Sequence, residues 1–111
     1  VTKFGIASNG GAFFKKTSNT LSGGDTFIAL KTGWHEVTTS GNALTTITGG
    51  YTGQILLLTV AGSTNLVVTD NAIGASANTI VGGTTLDVSE GDTLLLMFDG
   101  TQWRNISFGN N

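Results

Sequence analysis

The chain has no cysteine, a single histidine, and charged side chains at only 11% of its 111 positions. Each shortage excludes a class of chemistry. Without cysteine there is no disulfide framework, no thiolate metal ligand and no thiol nucleophile. One histidine cannot build a zinc site, and a Ser or Thr nucleophile would have only His35 to serve as its base. His35 falls in a polar slot of an alternating stretch, Trp34-His35-Glu36-Val37-Thr38, and is expected at a surface or interface. The five cationic residues are scattered apart from Lys15-Lys16, so no basic stripe exists to neutralise phosphates or to dock on an anionic membrane. No apolar run reaches the roughly 20 residues of a membrane span, and Val1-Thr2-Lys3-Phe4 lacks a secretory signal pattern. The first residue is Val rather than Met, which leads to the expectation of processing or excision from a longer chain.

In place of charge there are Thr, Ser, Asn and 17 glycines. Such a polar, uncharged surface suits repeating arrays, where symmetry multiplies every like-charge contact. No segment keeps the i, i+3, i+4, i+7 apolar spacing of a helix. Strands are expected at Ala12 to Lys16, Thr26 to Lys31, His35 to Thr39, Leu44 to Thr48, Gln54 to Val60, Leu66 to Asp70, Thr85 to Val88, Thr93 to Phe98 and Trp103 to Ser107. Gly- and Asn-rich turns separate them, from Asn9-Gly10-Gly11 and Gly23-Gly24-Asp25 through to Asp99-Gly100. The pattern predicts one all-β domain over residues 1–111, an antiparallel sandwich or barrel-like structure, with a solenoid-like stack as a third arrangement.

Two runs, Ile55-Leu56-Leu57-Leu58 and Leu94-Leu95-Leu96-Met97-Phe98, are apolar on both strand faces. A small antiparallel sandwich leaves each strand one wet face, so these runs need a second cover, from another segment of the chain or from another subunit. The expected interface residues are Ile55, Leu57, Leu94, Leu95 and Leu96, and the expected state is a homotrimer or higher symmetric oligomer. An internal repeat is also legible. Ser22-Gly23-Gly24-Asp25-Thr26-Phe27-Ile28-Ala29-Leu30 matches Ser89-Glu90-Gly91-Asp92-Thr93-Leu94-Leu95-Leu96-Met97, and both continue through a glycine to Trp34 or Trp103. It reads as a reused hairpin.

Catalytic, cofactor and metal residues are not expected. The acids Asp25, Asp70, Glu90, Asp92 and Asp99 sit at turns, where carboxylates cap backbone N–H groups, and the cluster Asp87, Glu90, Asp92 matches no calcium loop. Asn105-Ile106-Ser107 matches a glycosylation sequon that chance alone explains. The aromatics Trp34, Tyr51 and Trp103, with Phe13 and Phe14, are candidates to stack on a host surface glycan or to anchor a protein partner. For Trp34 and Trp103 the repeated placement after a turn favours closing the end of a sheet core.

The segment Ile47-Thr48-Gly49-Gly50-Tyr51-Thr52-Gly53-Gln54-Ile55-Leu56-Leu57-Leu58, then Leu66-Val67-Val68-Thr69-Asp70-Asn71, Gly91-Asp92-Thr93-Leu94-Leu95-Leu96 and Phe98-Asp99-Gly100-Thr101-Gln102-Trp103-Arg104-Asn105-Ile106-Ser107, resembles a β-rich module of tailed-bacteriophage virion surface proteins. Such modules occur in tail fibres and tailspikes. The resemblance spans Leu44 to Asn111. It implies a non-enzymatic virion structural protein, commonly a homotrimer, contacting other virion proteins at the capsid or tail surface. The two forms are a tail-fibre or spike module and a capsid decoration protein. A carbohydrate-binding module is the alternative.

Overall fold

The computed structural model describes residues 4–10 and 12–111, leaving aside the side chains of residues 4, 6, 12 and 13. All regular structure within them is β: β1 Phe4–Ile6, β2 Ala12–Phe14, β3 Lys16–Leu21, β4 Phe27–Ala29, β5 Trp34–Thr39, β6 Ala43–Leu44, β7 Thr46–Thr48, β8 Ile55–Val60, β9 Leu66–Val68, β10 Ile80–Val81, β11 Leu86–Val88, β12 Thr93–Phe98 and β13 Trp103–Gly109. The main sheet has the order β10-β13-β12-β8-β5-β3, and it faces a thinner layer made of β11-β9-β6 and β4-β7. One core lies between the layers. Its inward residues include Val37, Leu56, Leu58, Leu94, Leu96 and Trp103 from the main sheet and Ile28, Leu44, Ile47, Val68 and Leu86 from the thinner layer.

Strand direction departs from a purely antiparallel sandwich. β3, β5 and β8 run parallel to one another, as do β4 with β7 and β6 with β9. Parallel neighbours need a crossover of a dozen or so residues, and the stretches 22–33 and 40–54 supply it, each passing through the opposite layer. The first two thirds of the chain therefore winds as a coil whose turns stack strand on strand. The C-terminal part closes it: β12 pairs antiparallel with β8, and β13 returns antiparallel on β12. Few charges and many Thr and Ser fit this stacking, because like residues from successive turns become neighbours across each parallel pair.

Most expected strands are found near their expected positions, that at Ala12 to Lys16 as β2, but β3 has no expected counterpart. Lys16-Thr17-Ser18-Asn19-Thr20-Leu21 shows no apolar alternation until Leu21. Its inward polar residues are half-buried and bonded: Thr17 Oγ1 lies 2.7 Å from Thr32 Oγ1, and Asn19 Oδ1 meets the His35 ring. Satisfied polar groups replace hydrophobes there, which hydropathy cannot register. The turn expected at Asn9-Gly10-Gly11 includes Gly11, which lies outside the described residues.

The sequence repeat proves to be a reused turn and not a reused hairpin. In both copies the Asp carboxylate accepts the backbone N–H of the Ser three residues earlier, Ser22 at 3.1 Å and Ser89 at 2.9 Å. In both, the Asp N–H closes the turn onto that Ser carbonyl, at 3.1 and 3.0 Å. The copies then diverge. β4 pairs with β7 in the thin layer, whereas β12 lies in the main sheet and turns directly into β13. The phase also inverts: Ile28 is buried between exposed Phe27 and Ala29, while its counterpart Leu95 faces outward between buried Leu94 and Leu96.

Candidate functional site

The outer face of the main sheet follows from its registers. One row runs Arg104, Met97, Ile55, and the next runs Ser107, Leu95, Leu57, Trp34, Lys16. A continuous apolar band, Met97, Ile55, Leu95, Leu57 and Trp34, thus crosses strands β12, β8 and β5. Met97 is 37% exposed and the other members are half-buried. Polar groups frame it. Lys16 Nζ bonds Glu36 at 3.1 Å and lies 5.4 Å from the Trp34 ring centroid, and the Trp34 indole N–H donates to Thr59 Oγ1 at 2.9 Å. At the other border a β-bulge between Leu95 and Leu96 leaves Ile106 without a partner, 49% exposed.

The expected interface residues therefore divide. Ile55, Leu57 and Leu95 belong to the outer band, while Leu94 and Leu96 are fully buried in the core. The correction is one of phase, because adjacent strand residues point to opposite faces. The sequence reading missed Met97 as an interface residue, and it named Trp34 as a possible partner anchor without joining it to the band. The alternation through Leu94 to Phe98 carried the signal for Met97, once Phe98 is seen to pair inward with Trp103.

The aromatics separate in the same way. Trp103 is fully buried, so it is not a stacking platform. Its indole N–H donates to the Ile47 carbonyl at 2.9 Å, its ring centroid lies 5.0 Å from that of Phe98, and a Cβ at Gly50 would come within 2.6 Å of its Cζ2. Closing the core end is its role. Tyr51 is 80% exposed, on a turn in which its N–H donates to Gln54 Oε1 at 3.0 Å and the Gln54 N–H donates back to its carbonyl at 2.9 Å. The 71–79 stretch is braced by buried Gln102. Gln102 Nε2 donates to the Ala72 carbonyl and Thr79 Oγ1, and its Oε1 accepts the Gly74 N–H. Phe14, 42% exposed, lies against Gly33. The side chain of Phe13 falls outside the described residues.

His35 is not a surface or interface residue: it is completely buried, and it faces inward with Val37. Burial, reinforced by the positive charge of Lys31, holds its pKa down at about 4. The turn acids are occupied with backbone N–H groups. Asp70 accepts from Gly82 and Gly83, Glu90 from Gly62, and Asp99 from Thr101 and Gln102. The Asp99 carboxyl is pulled to about 2 by the Gln102 and Thr101 N–H groups and then by Arg104, whose Nε lies 2.7 Å away. Asp92 is lowered by the Ser89 N–H, the Asn111 N–H and the Ser89 hydroxyl. Among the described residues no His, Asp and Glu side chains gather as a metal site and no pocket opens. Asn105 of the sequon is half-buried in β13, its Nδ2 bonded to the Gly82 carbonyl.

A family model described as the phage depolymerase C-terminal beta sandwich domain matches residues 13–104. The match reaches well upstream of Leu44, so the N-terminal coil belongs to the similarity as fully as the closing strands. No curated protein and no solved structure gives a match.

Proposed function

The chain belongs to the phage depolymerase C-terminal β-sandwich family, and from that premise we propose that it is a non-catalytic structural module of a phage tail fibre or spike, which associates as a homotrimer through the outer face of its main sheet. The apolar band of Trp34, Ile55, Leu57, Leu95 and Met97 carries this reading. Apolar side chains arranged in cross-strand rows on a wet face gain roughly 25 cal/mol for each Å² they hide, and a second copy provides a matching surface at no cost in specificity. The absence of a catalytic role is supported by the use already made of the ionisable groups: His35 is enclosed, and most turn carboxylates hold backbone N–H groups. The family favours the tail over the capsid decoration form, with other virion proteins as neighbours at the particle surface.

Sedimentation tests the assembly. The wild type is expected at about three times 11.4 kDa at micromolar concentration. Leu57→Asp is expected to sediment as a folded monomer, because the new carboxylate remains solvated on an isolated sheet face but would be buried without a partner between subunits. A folded wild-type monomer at tens of micromolar overturns the trimer.

A second reading, recognition of a surface glycan, is favoured by Tyr51, the most exposed of the expected stacking residues among the described side chains. Its ring is open to solvent on a turn held by its own hydrogen bonds, so stacking on a sugar ring would order little more than the side chain. Binding on a glycan array that Tyr51→Ala abolishes without a change in melting temperature supports it. Retained binding in that variant removes it.

A further inference from the structure

His35 has no part in the proposed assembly or in glycan recognition, yet it joins three pieces of the first coil. From β5 its ring lies between edge strand β3 and the connection that returns from β4. Its Nε2 accepts the backbone N–H of Lys31 at 3.1 Å and that of Thr32 at 3.4 Å, while Nδ1 bonds Asn19 Oδ1 on β3. A nitrogen that accepts carries no proton, so the ring is neutral with its hydrogen on Nδ1, donated to Asn19. The connection depends on this point further along. Thr32 Oγ1 donates to the Trp34 carbonyl at 3.0 Å and lies within hydrogen-bonding distance of Thr17 on β3.

A second proton would have to go to Nε2, where it would face two N–H groups that have no other acceptor there. Among the described residues no acid faces the ring to compensate for the charge. Lys31, on the same connection, adds repulsion. Lys16 of β3 and Glu36 of β5 lie on the outer face of the sheet, paired with each other. Leu58 stands beside His35 on β8. In the opposing layer β4, β6, β7 and β9 carry no titratable side chain, and Asp87 of β11 is exposed on the outer side. Apart from its ladder with β5, β3 has little to hold it, because it is an edge strand with Leu21 as its one residue in the apolar core.

We propose that His35 is an acid-sensitive latch for the first coil: proton uptake at Nε2 frees the 31–33 connection and edge strand β3, while β8 to β13 keep their packing. The sign follows from linkage. A histidine neutral and buried in the closed form, but free to ionise in the open form, draws the equilibrium towards opening as pH falls from its ordinary value near 6.5 towards about 4. The latch is intramolecular and does not depend on the oligomeric state.

Hydrogen exchange on the full chain at pH 7 and pH 4.5, corrected for intrinsic exchange rates, tests this. The opening constant for amides of 16–21 and 31–33 is expected to rise on the order of 50-fold, with the amides of 93–109 unchanged. His35→Gln, which offers an acceptor and a donor but does not titrate, is expected to abolish the pH dependence. If that variant does not fold, Lys31→Met provides the test, since removing the cation eases protonation of the closed form and so diminishes the rise in opening at pH 4.5 while its onset near pH 6.5 stays in place, whereas Lys15→Met leaves the rise unchanged. Unchanged protection at pH 4.5, protection lost throughout the chain together, a rise that survives in His35→Gln, or one undiminished in Lys31→Met would each overturn the latch.

Discussion

Ser22-Gly23-Gly24-Asp25-Thr26 leads into β4 and Ser89-Glu90-Gly91-Asp92-Thr93 leads into β12, and the two turns are closed by the same pair of bonds between Asp and Ser. Beyond the turn the two regions share little. The first coil, β3 to β5, holds itself with polar contacts around Thr17, Asn19, Thr32 and His35. The closing hairpin, β12 and β13, fills the core with Leu94, Leu96, Phe98 and Trp103. Even the turns differ in detail: the left-handed glycine is Gly23, second in the first turn, and Gly91, third in the other. The contrast teaches that turn chemistry is local and portable, whereas the face a strand presents is set by its neighbours across the sheet.

The strongest way to break this contrast is to put a charge on each face of one strand. Leu96→Asp buries an unpaired carboxylate in the core at a cost of several kcal/mol and is expected to yield no folded protein, whereas Leu95→Asp is expected to fold and to lose self-association. Circular dichroism with sedimentation separates the two, and equal behaviour would remove the distinction between core and outer face.

The two tryptophans extend the comparison. Trp103→Ala removes a fully buried ring and leaves the Ile47 carbonyl without its donor, which should cost about 3–5 kcal/mol in urea unfolding. Trp34→Ala, on the half-open face, should cost about 1 kcal/mol.

Acid should take the regions apart in order. Full stability in the first coil requires neutral His35, so it is present above about pH 6.5 and declines as pH falls towards about 4, by about 3 kcal/mol in all. The hairpin relies on ionised Asp99 and Asp92, both held below their ordinary value near 3.8, so its contribution is intact above that value and is lost as acid protonates them, for Asp99 as pH falls towards about 2. A pH titration followed by NMR should therefore show β3 signals changing before those of β13.

The smallest effect is expected at the turns themselves. Asp92 is buried and also accepts the Asn111 N–H, whereas Asp25 is exposed, so Asp92→Ala should lower the melting temperature more than Asp25→Ala. Equal shifts would mean that the turn, and not its surroundings, sets the energy.

Much of the fold could be read from the residues. Gly and Asp at fixed spacing specify turns through conformational freedom and local hydrogen bonds, and β-branched and leucine-rich runs between them specify strands. The excess of apolar strand surface was legible too, because Ile55 to Leu58 and Leu94 to Phe98 are apolar on both faces. Which leucines face outward was not, since a run apolar on both faces looks the same in either phase. His35 and β3 were hidden for a related reason. A buried polar residue resembles an exposed one until its partners are known, and those partners, Asn19, Lys31 and Thr32, lie on other segments of the chain.

The sequence by itself thus determined an all-β chain, the sites of its turns and its excess of apolar strand surface, because all three depend on groups within a few residues of one another. The parallel coil, the phase of each strand, the burial of His35 and the enclosure of Trp103 were decided by the tertiary structure, because each depends on which distant strand comes to lie alongside and which hydrogen-bonding partners it brings.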